Sequence, residues 1–173
     1  MRHGTTGIDV REQLPSSPLS QEGEKSVLRS VQKLLPNQDI KKIVSSPFER
    51  AKQSALLASS VLSVIPVFEK GLSEIDLWVD DENDKDQVNK VAKVMDKKAP
   101  ILKEFLDTYL KDQDNILVSA HGNVIRVFLH VLLGYSLNQV RGIDIDNASV
   151  TCLSVLKKDG LYRASLEYLN RVG

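Results

Sequence analysis

A chain of 173 residues is long enough for one domain with a sizeable core and too short for two, so we expect a single domain over residues 1–173. Its 23 lysines and arginines balance 23 aspartates and glutamates, which leaves no bulk positive field of the kind that nucleic-acid-binding proteins use, and no nucleic-acid partner is expected. A single cysteine, Cys152, excludes an internal disulfide, and no apolar run approaches the roughly 20 residues that span a bilayer, so we expect a cytoplasmic protein without a membrane partner.

The first half of the chain predicts two helices and one strand. Ser20 precedes an amphipathic stretch whose apolar residues recur at helical spacing: Val27, Val31, Leu34 and Leu35. Lys41 to Ser46 (KKIVSS) is a short apolar run that ends in small polar residues, which is typical of a buried parallel strand. The stretch PFERAKQSALLASSVL predicts a second helix with Pro47 in its first turn. The charge-rich region from Val79 to Lys98 indicates a solvated loop and surface helix, or alternatively a flap over a site.

The second half repeats the alternation of strand and helix. A helix is predicted across Ile101 to Leu110, a buried strand over Asn115 to Ala120, and a helix in NVIRVFLHVLLG that ends at Gly134. The tail SVTCLSVLKKDGLYRASLEYL reads as two strands joined at Asp159-Gly160, a hairpin signal. Strands that alternate with helices predict a three-layer α/β sandwich with a mostly parallel central sheet flanked by helices.

Five side chains suited to phosphate chemistry stand out: Arg2, His3, Arg50, Glu74 and His121. Arg50 and His121 each follow a predicted strand closely enough to reach the carboxyl edge of the sheet, where ligands of such folds collect. Arginine forks match phosphate oxygens, an imidazole can act as nucleophile or hydrogen-bond donor, and a carboxyl group can protonate a leaving alkoxide. The third histidine, His130, lies on an apolar helix face and is interpreted as structural.

Six motifs in order resemble the histidine phosphatase superfamily, in its phosphoglycerate-mutase-like branch, over nearly the whole chain. They are RHG at 2–4, PLSQEG at 18–23, SSPFERAKQSA at 45–55, LSEID at 72–76, SAHGNVIR at 119–126 and NASVTCL at 147–153. The resemblance implies a phosphatase or mutase that needs no metal or other cofactor and works through a phosphohistidine on His3. It also implies that Arg2, Arg50 and His121 hold the phosphoryl oxygens and that Glu74 is the proton donor.

The short interval between Glu74 and His121 leaves no room for the large capping insertion of the glycolytic mutases. We therefore expect a phosphomonoesterase that acts on a small phosphorylated metabolite. A phosphoprotein or phosphohistidine phosphatase and a phosphoglycerate-type mutase are the alternatives, and the sequence does not give the oligomeric state.

Two departures from the family pattern favour a third alternative, a catalytically inactive phosphatase-like binding module. Members of the family usually carry a strand immediately before RHG, and here only Met1 precedes it. We therefore expect either that the upstream residues that form this strand are missing from the sequence or that a neighbouring segment fills the gap. An Asp9 side chain pointed at the phosphate would repel it. The retention of all five site residues opposes the inactive reading.

Overall fold

The computed structural model describes residues 1–110 and 114–173 and has helices on both faces of a three-stranded parallel sheet. In chain order the helices and strands are α1 (Gln21–Leu34), β1 (Ile40–Ser45), α2 (Glu49–Leu62), β2 (Pro66–Phe68), α3 (Lys85–Tyr109), β3 (Asn115–Ser119), α4 (Gly122–Leu133), α5 (Leu137–Arg141), β4 (Val150–Lys158) and β5 (Leu161–Arg171). The predicted α/β fold class, with helices flanking a parallel sheet, is confirmed.

The strand order of the parallel sheet is β2-β1-β3. Val44 at its centre is level with Val67 of β2 and Val118 of β3. Because side chains alternate along a strand, Ile43 faces a core formed with α1 and α2, whereas Val44 faces a second core formed with α3 and α4. This alternation separates the two layers of helices.

Residues 1–3 lie between the end of β3 and the segment that leads into β4. Arg2 bridges to Ala120 in parallel fashion, and the His3 amide donates to the Ala120 carbonyl over 3.0 Å. On the other side the Arg2 amide donates to the Ser149 carbonyl, and the Ala148 amide donates to the His3 carbonyl. Residues on both sides therefore fix the backbone that carries His3.

The tail forms the predicted antiparallel hairpin, β4 with β5, as a separate two-stranded sheet. Asp159 and Gly160 both have positive φ, 52° and 76°, as a tight hairpin turn requires. The predicted first helix is also confirmed, since the Ser20 hydroxyl accepts from the Gly23 amide and caps the start of α1.

Two boundaries differ from the sequence prediction. Pro47 precedes the first turn of α2 instead of lying in it, because Phe48 is extended (φ −66°, ψ 136°) and the helix begins at Glu49. The helix predicted from Ile101 to Leu110 begins earlier, at Lys85, and runs without a break through Pro100 to Tyr109. The loss of one backbone hydrogen bond at Pro100 is offset by the apolar face of α3: Val91, Met95, Leu102, Phe105 and Leu106.

Two elements were not predicted from the sequence. β2 is only three residues long and begins at Pro66. Proline is tolerated at the first residue of a strand. α5 begins with a capping box, in which the Ser136 hydroxyl accepts from the Gln139 amide and the Gln139 side chain accepts from the Ser136 amide. Across the described residues, no helix combines the length and the apolar character that crossing a membrane would need.

Candidate active site

The five predicted site residues come together at the carboxyl edge of the parallel sheet. Arg2 and His3 stand at the end of the segment beside β3, and Arg50 lies in the first turn of α2, directly after β1. Glu74 follows the short helical turn after β2, and His121 is the N-cap residue of α4, directly after β3. The topology therefore converges these side chains on one place, as expected for ligand sites of open α/β sheets.

His3 is held in one tautomer. Its Nδ1 donates to the carbonyl of Gly4 over 2.7 Å, which leaves Nε2 with its lone pair, and Nε2 accepts a hydrogen bond from Arg50 Nε over 3.1 Å. Burial lowers the pKa of His3 to about 3, and the charges of Arg50 and Arg2 act in the same direction. The imidazole is therefore neutral at pH 7, and its Nε2 lone pair accepts the hydrogen bond from Arg50.

His121 packs edge-on against His3, with ring centroids 5.1 Å apart. Its Nε2 lies 2.8 Å from the Ser46 hydroxyl, and its buried Nδ1 has no hydrogen-bond partner among the described residues. Burial, together with the neighbouring His3 and Arg50, lowers the pKa of His121 to about 2. This second neutral imidazole has one ring nitrogen available to a ligand.

The two arginines are anchored by backbone carbonyls from separate segments. Arg50 is 3% exposed and donates from Nη1 to the Leu14 carbonyl over 3.0 Å. Arg2 donates from Nη1 to the Ile145 carbonyl, and its buried Nε has no partner among the described residues. Two anchored positive charges beside two neutral imidazoles make a cluster of side chains suited to an anion with several oxygens.

Glu74 lies at the open side of the site. Its Oε1 accepts from the Ile75 amide over 3.1 Å, and its Oε2 is 4.0 Å from His121 Nδ1. Burial raises the pKa of Glu74 to about 7, although the Ile75 amide and the nearby arginines favour the carboxylate. Because its side chain is still 26% exposed, this carboxyl group can exchange protons with water near neutral pH.

The sequence analysis assigned no role to two residues of α4 that support the Glu74 segment. Asn123 donates from Nδ2 to the Ile75 carbonyl over 2.8 Å and accepts from Arg126 Nη1 over 2.9 Å. Arg126 also donates from Nε and Nη2 to the Ile143 carbonyl. Both residues belong to SAHGNVIR and are three residues apart, so they share one helix face. This spacing is the sequence feature that could have indicated that they act together.

Lys98 is a third residue near the site to which the sequence analysis assigned no role. It comes from α3, is 6% exposed, and donates from Nζ to the Ser73 carbonyl over 2.7 Å. Its position inside the charge-rich region predicted a solvated side chain. The buried helix face that it shares with Val91 and Met95 was the signal in the sequence.

Asp9 and His130 lie outside this constellation. Asp9 is exposed, and its carboxylate accepts from the Arg11 amide, so it caps a short helical turn and does not carry the repulsive role considered above. His130 Nδ1 donates to the Tyr135 carbonyl over 2.7 Å at the end of α4, in agreement with a structural role. Within the described ranges, no group of three or more histidine, cysteine and carboxylate side chains could hold a metal ion.

The family model described as the histidine phosphatase superfamily (branch 1) matches residues 1–96 and 77–164. The chain belongs to this superfamily. Membership agrees with the resemblance seen in the six motifs. At the level of the family, it also confirms the predicted enzyme class, a histidine-type phosphatase. No match was found among curated proteins.

Solved structures share the fold at low identity. A mycobacterial glucosyl-3-phosphoglycerate phosphatase, solved with VO3, is 20% identical with a TM-score of 0.74, and the match covers 98% of this chain and 96% of that chain. A phosphoserine phosphatase from Entamoeba histolytica, solved with 3-phosphoglyceric acid, is 18% identical with a TM-score of 0.74 and coverages of 98% and 94%. A putative alpha-ribazole-5'-P phosphatase from Escherichia coli K-12 is 19% identical with a TM-score of 0.75 and coverages of 99% and 94%. This chain therefore shares its fold with these proteins over nearly its whole length.

Proposed function

We propose that this protein is a metal-independent phosphomonoesterase that forms a phosphohistidine on His3 and acts on a small phosphorylated metabolite. The observation that carries the proposal is the fixed tautomer of His3, whose Nε2 lone pair faces Arg50 in a pocket that also contains Arg2 and His121. A neutral imidazole beside anchored arginines is what in-line attack on a phosphate monoester requires.

In the first step, His3 Nε2 attacks phosphorus as the bond to the leaving oxygen breaks. Arg50 gives up its hydrogen bond to Nε2 and, with Arg2 and His121, binds the equatorial oxygens as negative charge shifts onto them. Glu74, whose pKa is raised to about 7 by burial, gives its proton to the leaving oxygen, and the alcohol departs. The His3 ring, now bonded to phosphorus at Nε2, still donates from Nδ1 to Gly4.

In the second step, a water oxygen attacks phosphorus and the bond between phosphorus and Nε2 breaks. The Glu74 carboxylate takes a proton from that water, so the same group serves first as acid and then as base. Inorganic phosphate leaves, and both His3 and Glu74 return to their starting protonation states.

A phosphatase that acts on a small metabolite is expected. Mutase activity is disfavoured because only ten residues, 75–84, separate Glu74 from the start of α3. A segment of this length does not form the large cap that a mutase needs to hold a bisphosphorylated intermediate while it reorients. The named activities of the structural neighbours, on glucosyl-3-phosphoglycerate, phosphoserine and alpha-ribazole-5'-P, also involve small molecules. Single-domain organisation over 1–173 and a cytoplasmic location remain predictions.

The test is rapid quenching with a phosphorus-32-labelled phosphomonoester in the presence of a chelator. We expect an acid-labile, base-stable label on the wild-type protein, turnover of para-nitrophenyl phosphate that the chelator leaves unchanged, and loss of both in His3→Ala. His130→Ala is the matched control and should keep both. A label that persists in His3→Ala contradicts the proposal, and a wild-type protein that binds phosphate without turnover identifies an inactive binding module.

A further inference from the structure

The helix α3 carries one buried ammonium group close to the site. Lys98 is 6% exposed, whereas the other lysines of this helix, which is described over its full length, are exposed: Lys85, Lys90, Lys93, Lys97 and Lys103. Burying a charged amine is costly unless other groups compensate for the loss of water. Because the Lys98 ammonium group is buried beside the site, we expect a group of the site to compensate for its lost hydration.

The contacts of Lys98 lead to Glu74. Its Nζ donates to the carbonyl of Ser73, the residue directly before Glu74, over 2.7 Å. Burial lowers the pKa of Lys98, and the charge of Glu74 opposes that effect, while the ammonium group contributes to the lowered pKa of His121. The Lys98 ammonium thus interacts electrostatically with both Glu74 and His121 from its position at the Ser73 carbonyl.

We propose that Lys98 is a positioning residue that fixes the Ser73–Glu74 backbone and favours the carboxylate form of Glu74 in the phosphoenzyme. The inference rests on the proposed function, because it concerns the step in which Glu74 acts as base. It assigns to α3 a part in the second half of the reaction that the family motifs of this chain do not include.

The protonation state of Glu74 depends on which positive charges remain available once a phosphoryl group is bound. Four cationic side chains and one neutral imidazole face Glu74 from the elements around it: Arg2 beside β3, Arg50 of α2, Lys98 of α3, Arg126 of α4 and His121 at the N-cap of α4. In the phosphoenzyme, the charges of Arg2 and Arg50 are offset by the phosphoryl oxygens. Arg126 is directed to the Ile143 carbonyl and to Asn123. Lys98 then supplies a positive charge that is held at the Ser73 carbonyl, next to Glu74 itself.

The direction of the effect follows from the sign of the charge. A nearby ammonium favours the carboxylate, so removing it raises the pKa of Glu74. Formation of the phosphoenzyme from an alkyl phosphate, which needs protonated Glu74, would then persist to higher pH. Hydrolysis of the phosphoenzyme, which needs the carboxylate, would require higher pH, so the phosphoenzyme would accumulate at pH 7.

The experiment compares Lys98→Met and Lys98→Gln, which remove the charge, with Lys98→Arg, which keeps it, and with Lys97→Met as the exposed control. The first measurement is the pH titration of the Glu74 carboxyl carbon by carbon-13 NMR, assigned with Glu74→Gln, which needs no activity. We expect its midpoint to rise by about one pH unit in Lys98→Met and Lys98→Gln and to stay near the wild-type value in Lys98→Arg and Lys97→Met.

The second measurement is the pH dependence of single-turnover phosphoenzyme decay in the same variants. Its midpoint should rise by the same amount as the carboxyl titration, with about five- to tenfold slower decay at pH 7 in the two variants without the charge. An unchanged Glu74 titration in correctly folded Lys98→Gln, or a Lys98→Arg that behaves as Lys98→Met, overturns the inference. A wild-type protein that forms no phosphoenzyme refutes the proposed function instead, and the NMR titration distinguishes the two failures.

Discussion

Arg50 Nε donates a hydrogen bond to His3 Nε2 over 3.1 Å, so the guanidinium proposed to bind the phosphoryl group lies against the proposed nucleophile. The same side chain is also held by the Leu14 carbonyl. An arriving phosphate therefore exchanges one acceptor of Arg50 for another without moving its anchored end, and the His3 lone pair becomes available in the same event.

This relationship predicts that Arg50 cannot be replaced by lysine. Arg50→Lys keeps a positive charge but loses the planar fork that bonds two acceptors at once, so kcat/KM for a phosphomonoester should fall by about 10²- to 10³-fold. Vanadate inhibition should weaken in parallel. Arg29→Lys makes the same change on the exposed face of α1 and should leave both quantities unchanged. An Arg50→Lys enzyme with wild-type kcat/KM would show that the fork is not used.

The lowered pKa of His3, about 3, and the raised pKa of Glu74, about 7, predict the pH dependence of phosphoenzyme formation. Attack requires neutral His3, which is present above its pKa, and a poor leaving group requires protonated Glu74, which is present below its pKa. At saturating alkyl phosphate the burst rate should therefore be flat in mildly acidic solution and fall about tenfold per pH unit above the Glu74 pKa.

A bound phosphate dianion opposes ionisation of Glu74, so the fall should begin at or above pH 7, the value for the free protein. The measurement is the burst amplitude and rate by rapid quench from pH 5 to 9. A burst rate that increases through pH 7 would mean that a base, and not an acid, assists the first step.

The layered arrangement could be predicted from the sequence because it depends on local patterns. The runs around Ile43 and Val44 alternate between two cores, Ser20 caps α1, and Asp159-Gly160 supplies the positive φ angles of the hairpin. The continuity of α3 could not be predicted from the sequence. Exposed charged residues dominate its composition, and its few buried apolar residues are distributed over about seven turns of helix.

Some residues of the candidate site could likewise be predicted from the sequence, and others could not. Arg50 and His121 were predictable because each follows a strand and therefore lies at the carboxyl edge, whereas His3 was identified through the resemblance of RHG to the family motif. Lys98 and Arg126 were not, because each meets the site through a backbone carbonyl, of Ser73 and Ile143 respectively, that only the tertiary fold brings within reach. The helical spacing of these two residues indicates which helix face they occupy, but it does not indicate which distant carbonyls they meet.

A close approach of backbones behind His3 predicts a large effect on stability. A Cβ on Gly23 would lie 2.0 Å from the Thr5 carbonyl oxygen, and a Cβ on Gly4 would lie 2.4 Å from the Gly23 carbonyl oxygen. Gly23→Ala forces α1 away from the segment that carries His3 and should lower the free energy of unfolding by about 3 kcal/mol, the upper part of the usual range for overpacking.

The matched control is Gly142→Ala, where φ is −75° and the added Cβ has its nearest neighbour at 3.6 Å. This variant should unfold within about 0.5 kcal/mol of wild type in urea. Equal stabilities for the two variants would mean that α1 can shift without cost and that the glycine contact does not hold the His3 segment.

The motif LSEID contains two carboxylates, and the structure distinguishes them. Glu74 Oε2 is 4.0 Å from His121 Nδ1, whereas Asp76 Oδ1 accepts from the Trp78 amide over 2.8 Å in a local turn. Only Glu74 is near the place where a leaving oxygen would stand. We therefore expect Glu74→Gln, which keeps the size and removes the transferable proton, to slow phosphoenzyme formation from an alkyl phosphate by roughly 10²- to 10⁴-fold.

An aryl phosphate whose leaving group departs as a stable anion should lose much less in the same step, because it needs no proton. Asp76→Asn should slow alkyl and aryl substrates by equal and small factors. The comparison must use the burst and not the steady state, because Glu74 also acts as base in the proposed hydrolysis of the phosphoenzyme. If Glu74→Gln slows the burst equally for both substrate types, Glu74 is not the proton donor, and the role passes to another residue.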